Sequence, residues 1–322
     1  MLGRRSELLA HLADRYFSEC DPSVGQTSSH WKEQHARARL TQADGDFRLE
    51  GQGFGYDPNP TAKSLLLGWM TIALYLLKLP DRLALLRRLP AAVAVARRMG
   101  HPFTYNCFRS LCTYVSVLRE RELSRVAIIG DGWGYLAGLI RHFEPRAAVF
   151  LIDLGKTLTF QVSLLGKAFP EAELHLVDEG GLNPAEVGEG AFVFCPAESV
   201  REMEAMRFDL FINVASMQEM TMPVIEEYFR FMRGTLRSGG LFYCCNRKEK
   251  VLPCGSVIRF HAYPWDAADI VLIDGPCPWH TFFLESCRAA RGPVLFGRRV
   301  PYINWFDGDH LHRLAGLTSR SR

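Results

Sequence analysis

Several common classes of protein are excluded by what this chain does not have. No two cysteines stand in C-x-x-C spacing and the total of nine is odd, which argues against a disulfide framework or a zinc knuckle and for reduced, mostly buried thiols. No apolar run approaches the ~20 residues that cross a bilayer. The longest uncharged one, residues 65–77 (LLLGWMTIALYLL), has 13 and reads as a buried helix. The N-terminus runs from basic residues into an acid-containing amphipathic segment, so no secretory peptide is expected and the location is read as cytoplasmic. There is no internal repeat or low-complexity tract. Charge of one sign is missing too: 38 Lys and Arg face 35 Asp and Glu, and a net +3 gives no reason to expect a nucleic-acid partner.

What is present suits a large folded chain. With 48% hydrophobic residues over 322 positions, it can bury one large domain with an appendage, or two domains. The texture changes near residue 120. Before it, helical patterns alternate with loops. Residues 7–17 (ELLAHLADRYF) carry apolar positions at helical spacing and stop at Asp21-Pro22, while residues 45–60, rich in Gly, Asp, Asn and Pro, read as a loop. Leu83, Leu86 and Leu89 interleave with Arg82, Arg87 and Arg88, and Arg97 and Arg98 follow, which predicts an amphipathic helix with a solvated basic face.

After residue 124, short apolar runs separated by helical stretches predict a parallel sheet with crossover helices. The runs are residues 126–129, 149–152, 174–177, 192–195, 210–213, 241–244, 270–273 and 294–296. The expected helices are residues 156–169, 199–206, 223–236 and 282–290.

The most informative stretch is Val126-Ala-Ile-Ile-Gly130-Asp131-Gly132-Trp133-Gly134, an apolar strand that breaks into three alternate glycines before a helix. Glycine suits a tight turn whose backbone must approach a ligand closely, because a Cβ would obstruct it. The next strand ends in Asp153, about 20 residues on, where a carboxylate accepts from both ribose hydroxyls of an adenosine cofactor.

Two later features join these: the strand Phe208-Asp209-Leu210, and a helix end followed by the Gly239-Gly240 turn into another strand. This order resembles class I S-adenosylmethionine-dependent methyltransferases. Within that class, Asn213-Val-Ala-Ser216-Met-Gln218-Glu219-Met220, followed by VIEEYF at 224–229, looks like the SxQEM signature of the sugar O-methyltransferase family. Ser29-His30-Trp31, Ile152-Asp153-Leu154 and Tyr243-Cys244-Cys245-Asn246-Arg247 match as well, so the similarity spans residues 29–246.

The resemblance implies an α/β, Rossmann-like class I methyltransferase fold, a mostly parallel doubly wound sheet with a helical N-terminal region. It implies S-adenosylmethionine as cofactor, with Gly130, Asp131, Gly132, Trp133, Gly134, Asp153 and Asn213 at its site and either Asp178 or Glu198 toward adenine. One departure stands out. The position two before the first glycine, usually acidic in this class, is Ile128, with Asp131 as a partial substitute.

Transfer to a sugar hydroxyl needs the acceptor oxygen held in line and a group to take its proton. Ser216, Gln218 and Glu219 follow the fourth core strand, where an open α/β sheet places its reacting centre. Glu219 is read as base or orienting carboxylate with Gln218 and Ser216 in support; the competing role for Glu219 is to favour the next helix N-terminus. His261 and His280, each beside aromatics, are alternative bases or core residues, and Arg247 and Arg259 suit an acidic sugar or phosphate. Asp309, His310 and His312 offer metal-ligand types without a second cluster, and no Asp-Asp pair follows the fourth strand, so no metal is expected.

The chain is therefore read as a helical cap over residues 1–120, a cofactor-binding domain over 121–300 and a tail over 301–322. A small sugar or glycoside substrate is expected, with neither nucleic acid nor stable membrane insertion. A non-sugar or lipid-linked acceptor and a non-catalytic partner subunit stay open as alternatives.

Overall fold

The computed structural model describes residues 2–17, 39–43, 46–50, 60–177, 181–285, 292–306 and 308–318, with the backbone alone for residues 2–4, 39–43 and 46–50. The N-terminal part comprises α1 (Leu2–Tyr16), the paired strands β1 (Arg39–Ala43) and β2 (Asp46–Glu50), α2 (Ala62–Lys78), α3 (Arg82–Arg98) and α4 (Tyr105–Thr113). The loop expected over 45–60 thus contains a strand, and residues 51–59 lie outside the described residues. So do Ser29-His30-Trp31 and Asp178.

The remaining elements are β3 (Arg125–Ile129), α5 (Tyr135–Phe143), β4 (Ala148–Asp153), α6 (Gly155–Ala168), β5 (Leu174–Leu176), β6 (Phe192–Pro196), β7 (Phe208–Val214), α7 (Met222–Thr235) and β8 (Leu236–Arg247). Then come β9 (Glu249–Val251), β10 (Val257–Arg259), β11 (Ile270–Pro276), β12 (Phe282–Leu284), β13 (Val294–Leu295), β14 (Arg298–Arg299), β15 (Ile303–Trp305) and β16 (His310–Gly316).

Eight strands form the central sheet in the order β11-β16-β8-β7-β3-β4-β6-β5. The pairs from β8 to β5 are parallel, whereas β16 runs antiparallel to both β8 and β11. The doubly wound, mostly parallel sheet and the helical N-terminal region match the expectation. The central strands β3, β4, β6 and β7 are continuous apolar runs because both faces are covered. Val126 and Ile128 of β3 pack with the N-terminal helices, α5 and α6, while Ala127 and Ile129 pack with α7 on the opposite face.

Several expectations are corrected. Residues 199–206 do not make an α-helix; Ala197–Met203 is a tighter 3₁₀ turn. The helix expected at 282–290 begins instead as β12, bonded to β15, and residues 286–291 lie outside the described residues. The run at 294–296 is a two-residue hairpin with β14, apart from the central sheet. Within the stretch expected as a tail, β16 inserts between β8 and β11. Its His310, His312 and Arg313 disguise a strand whose Leu314 and Ala315 are buried. Finally, α2 is only half buried, with Leu67, Ile72 and Tyr75 inward and Leu66, Met70, Leu74 and Leu77 exposed. Among the described residues, no helix is long and apolar enough to cross a membrane.

Candidate active site

The glycine loop leaves the C-terminal end of β3 at the middle of the sheet. Gly130, Gly132 and Gly134 take φ of +76°, +63° and +86°, a left-handed backbone that other residues adopt only with strain. A Cβ on Gly130 would meet Ser216 Oγ at 2.1 Å, and one on Gly134 would press Leu165 Cδ1 at 3.0 Å. The two glycines therefore have different tasks. Gly130 lets the loop pass close to the β7 end, and Gly134 caps α5 and lets it pack on α6.

Asp131 turns its carboxylate onto the first turn of α5, accepting from the amides of Ala137 at 2.8 Å and Leu136 at 3.3 Å. Asp153 accepts from the amide of Leu154 and from Gln161 Nε2, each at 2.9 Å. Burial pushes both acids up, Asp131 to about 8 and Asp153 to about 7, against the opposing pull of these hydrogen bonds.

A cavity of about 340 Å³ opens between this loop and the ends of β7 and β8. One part of its lining comes from the glycine loop and the ends of β4 and β6, with Gly130, Asp131, Gly132, Trp133, Asp153 and Ala197, and another from Asn106, Arg109, Glu219, Arg247, Phe306 and His310. Trp133 is buried and stacks on Tyr135 at 5.0 Å. Ile128, two residues before the first glycine, supplies apolar wall.

The segment after β7 is held by a buried amide network. Asn213 Nδ2 donates to the Ile129 carbonyl at 2.8 Å and to Ser216 Oγ at 2.7 Å, and its Oδ1 accepts from Asn246 Nδ2 at 2.7 Å. Asn246 Oδ1 accepts from the Gln218 amide, and Gln218 Oε1 from the Arg247 amide at 2.7 Å. Ala215, at φ +57°, bends the chain here. Ser216, Gln218 and Glu219 thereby reach the cavity wall. Glu219 Oε1 accepts from Lys250 Nζ at 2.6 Å, the two side chains 13% and 12% exposed, so the carboxylate is anchored.

Not every expected residue meets the cavity. Gly134 and Asn213 stand behind its wall as packing and bonding elements. Glu198 follows β6, beside Ala197, and its Oε1 accepts from Tyr16 OH of α1 at 2.6 Å; the carboxylate is not on the wall. His261 is exposed in the turn Phe260–Ala262, and Arg259 is exposed and paired with Glu249 at 2.7 Å. His280 is buried against His310.

The structure adds residues that the sequence reading did not single out: Gln161, Lys250, Asn106, Arg109 and Phe306. His310, read only as a weak metal ligand, lines the wall. Its Nδ1 lies 3.2 Å from the Gly308 carbonyl, which can only accept, so that nitrogen carries the proton and Nε2 the lone pair. Burial, with Arg109 and Arg247 nearby, lowers its pKa to about 3 and keeps the ring neutral. Asp309, His310 and His312 do not converge on a common point among the described residues.

No protein-family model matches the chain and no curated protein matches it. Among solved structures, the chain is similar to N-methyltransferase NodS from Bradyrhizobium japonicum in complex with S-adenosyl-L-homocysteine, at 12% identity over 70% of this chain and 96% of that one, TM-score 0.40. An S-adenosylmethionine-dependent methyltransferase from Clostridium acetobutylicum matches at 12% over 64% and 89%, TM-score 0.36. A protein described for conversion of a disulfide bond into a thioacetal group during echinomycin biosynthesis matches at 12% over 66% and 82%, TM-score 0.39.

Proposed function

We propose that the protein is an S-adenosylmethionine-dependent methyltransferase whose acceptor is a hydroxyl of a sugar or glycoside. The observation that carries this reading is the convergence, on one cavity, of the left-handed glycine loop and Asp153 with the Glu219 wall. The glycine-loop part suits the cofactor on its own terms. Left-handed backbone at Gly130 and Gly132 lines the cavity, and the buried acids Asp131 and Asp153 gain from a ligand bearing hydroxyl donors and positive charge. When bound, S-adenosylmethionine supplies an electrophilic methyl group.

The chain's own residues do the rest. Asp153 accepts from ribose hydroxyls while Gln161 keeps its other contacts in place. Ser216 and Gln218 fix the wall that aligns the acceptor, and Glu219, held by Lys250, accepts the proton of the attacking hydroxyl. Phe306 offers a face for a sugar ring, and Arg109 and Arg247 on the same wall favour an acceptor with an acidic group. Calorimetry is expected to show micromolar binding of S-adenosylhomocysteine and none of NAD. Tritiated methyl transfer into a panel of glycosides and nucleotide sugars then identifies the acceptor. Failure to bind S-adenosylhomocysteine overturns the assignment.

A lipid-linked glycoside is a second reading, favoured by the exposed Leu66, Met70, Leu74 and Leu77 of α2 beside Leu83 and Leu86 of α3. Co-sedimentation with liposomes separates the two.

A further inference from the structure

We propose that Cys245, Cys277 and His280 together bind one zinc-class divalent ion, in a centre just behind the acceptor wall. Cys245 lies near the end of β8, and Cys277 follows β11 directly; His280 comes three residues later in a C-x-x-H turn closed by the His280 amide on the Cys277 carbonyl at 3.2 Å. All three side chains are buried, and their ligand atoms lie within 4.8 Å of one another.

The geometry is that of a ligand set. His280 Nδ1 is 3.2 Å from Cys277 Sγ and 3.8 Å from Cys245 Sγ. Zinc–sulfur bonds of ~2.3 Å and zinc–nitrogen bonds of ~2.0 Å at a tetrahedral angle set the ligand atoms ~3.6 Å apart, between the two observed values. Thiolate and imidazole are soft donors, which select zinc over magnesium or calcium. Without an ion, the cluster is a poor use of buried polar groups. Two thiols are weak hydrogen-bond partners, and His280 Nε2 is buried with no hydrogen-bond partner among the described residues. Loading releases one proton from each thiol as its sulfur becomes a thiolate ligand, with no change of oxidation state.

The consequence of such a centre is positional. His280 lies flat on His310, ring centroids 4.7 Å apart at 16°, and 5.4 Å from Phe306, and both of those rings line the cavity. Next to His280, the amides of Thr281 and Phe282 donate to Tyr75 OH of α2. An ion here ties β8, the β11–β12 connection and α2 into one rigid wall. The three ligands are not themselves on the cavity lining, so the ion takes no part in methyl transfer.

The test uses the full chain, expressed with zinc in the medium and analysed by elemental mass spectrometry, and by Co(II) titration of metal-stripped protein. Expected are about one zinc per chain and a thiolate-to-cobalt charge-transfer band near the ultraviolet edge, as for a Cys₂His site. Both should be lost in Cys277→Ser and His280→Ala and kept in Cys254→Ser, whose thiol is exposed and not a member of the cluster. Wild-type cobalt spectra keep the test valid if a variant fails to fold. Substoichiometric metal with no cobalt band overturns the proposal, as does a Cys245–Cys277 disulfide in unreduced peptide maps. Metal content is read independently of S-adenosylhomocysteine binding, so either reading can fail alone.

Discussion

Gln161 Nε2 donates to Asp153 Oδ2 and, from the same nitrogen, to the Gly132 carbonyl, each at 2.9 Å. One side chain from the second turn of α6 thus locks the glycine loop to the acid at the end of the neighbouring strand. Neither half of this site is positioned without the other. Gln161→Leu is expected to weaken S-adenosylhomocysteine binding by roughly 10–100-fold, the equivalent of ~1.5–3 kcal/mol for a hydrogen bond to a carboxylate. Calorimetry beside a thermal melt checks it, with the melting temperature moving little compared with the affinity.

Gly130 and Ser216 share one space. Gly130→Ala adds a Cβ where Ser216 Oγ stands and strains a backbone at φ +76°, so it should abolish measurable ligand binding. In Gly130→Ala/Ser216→Gly, relief of the clash leaves only the strain of ~1–2 kcal/mol, so stability should recover beyond the sum of the single changes. A double-mutant cycle by chemical denaturation reads that coupling.

Asp131 and Asp153 make a pH prediction with a definite sign. Their folded pKa values, about 8 and about 7, lie above the ordinary carboxyl value, so the folded state holds more protons than the unfolded one between about pH 4 and 8. Stability from this source is full below about pH 4 and falls as pH rises through 7 and 8. Asp131→Asn should flatten that decline in thermal melts of the ligand-free protein. Because ribose hydroxyls favour the ionised Asp153, binding of S-adenosylhomocysteine near pH 6.5 should release protons, seen as a buffer-dependent binding enthalpy.

Glu219→Gln should lower kcat by ~10²-fold or more, the usual contribution of a positioned proton acceptor, with affinity for S-adenosylhomocysteine unchanged. Lys250→Met should lower it less, because the carboxylate remains but loses its anchor at 2.6 Å. Equal losses in cofactor affinity would show instead that the pair holds the loop.

Local chemistry made much of this site legible in the amino-acid order. Alternate glycines after an apolar strand and the acid ending the next strand depend on neighbours within a few residues, so spacing singled them out, while the S-x-Q-E run after β7 was singled out by its family resemblance. Apolar runs at strand length likewise determined a mostly parallel sheet, because strands covered on both faces cannot carry charge. What lies across the chain was decided only by the tertiary structure. Insertion of β16 beside β8 brought His310 to the wall, and α1 brought Tyr16 to Glu198 across 182 positions. The sheet set Cys245 against a C-x-x-H turn more than thirty residues away. Such contacts depend on which strands become neighbours, a choice made by the summed packing of both sheet faces and left without trace in the periodicity of any one segment.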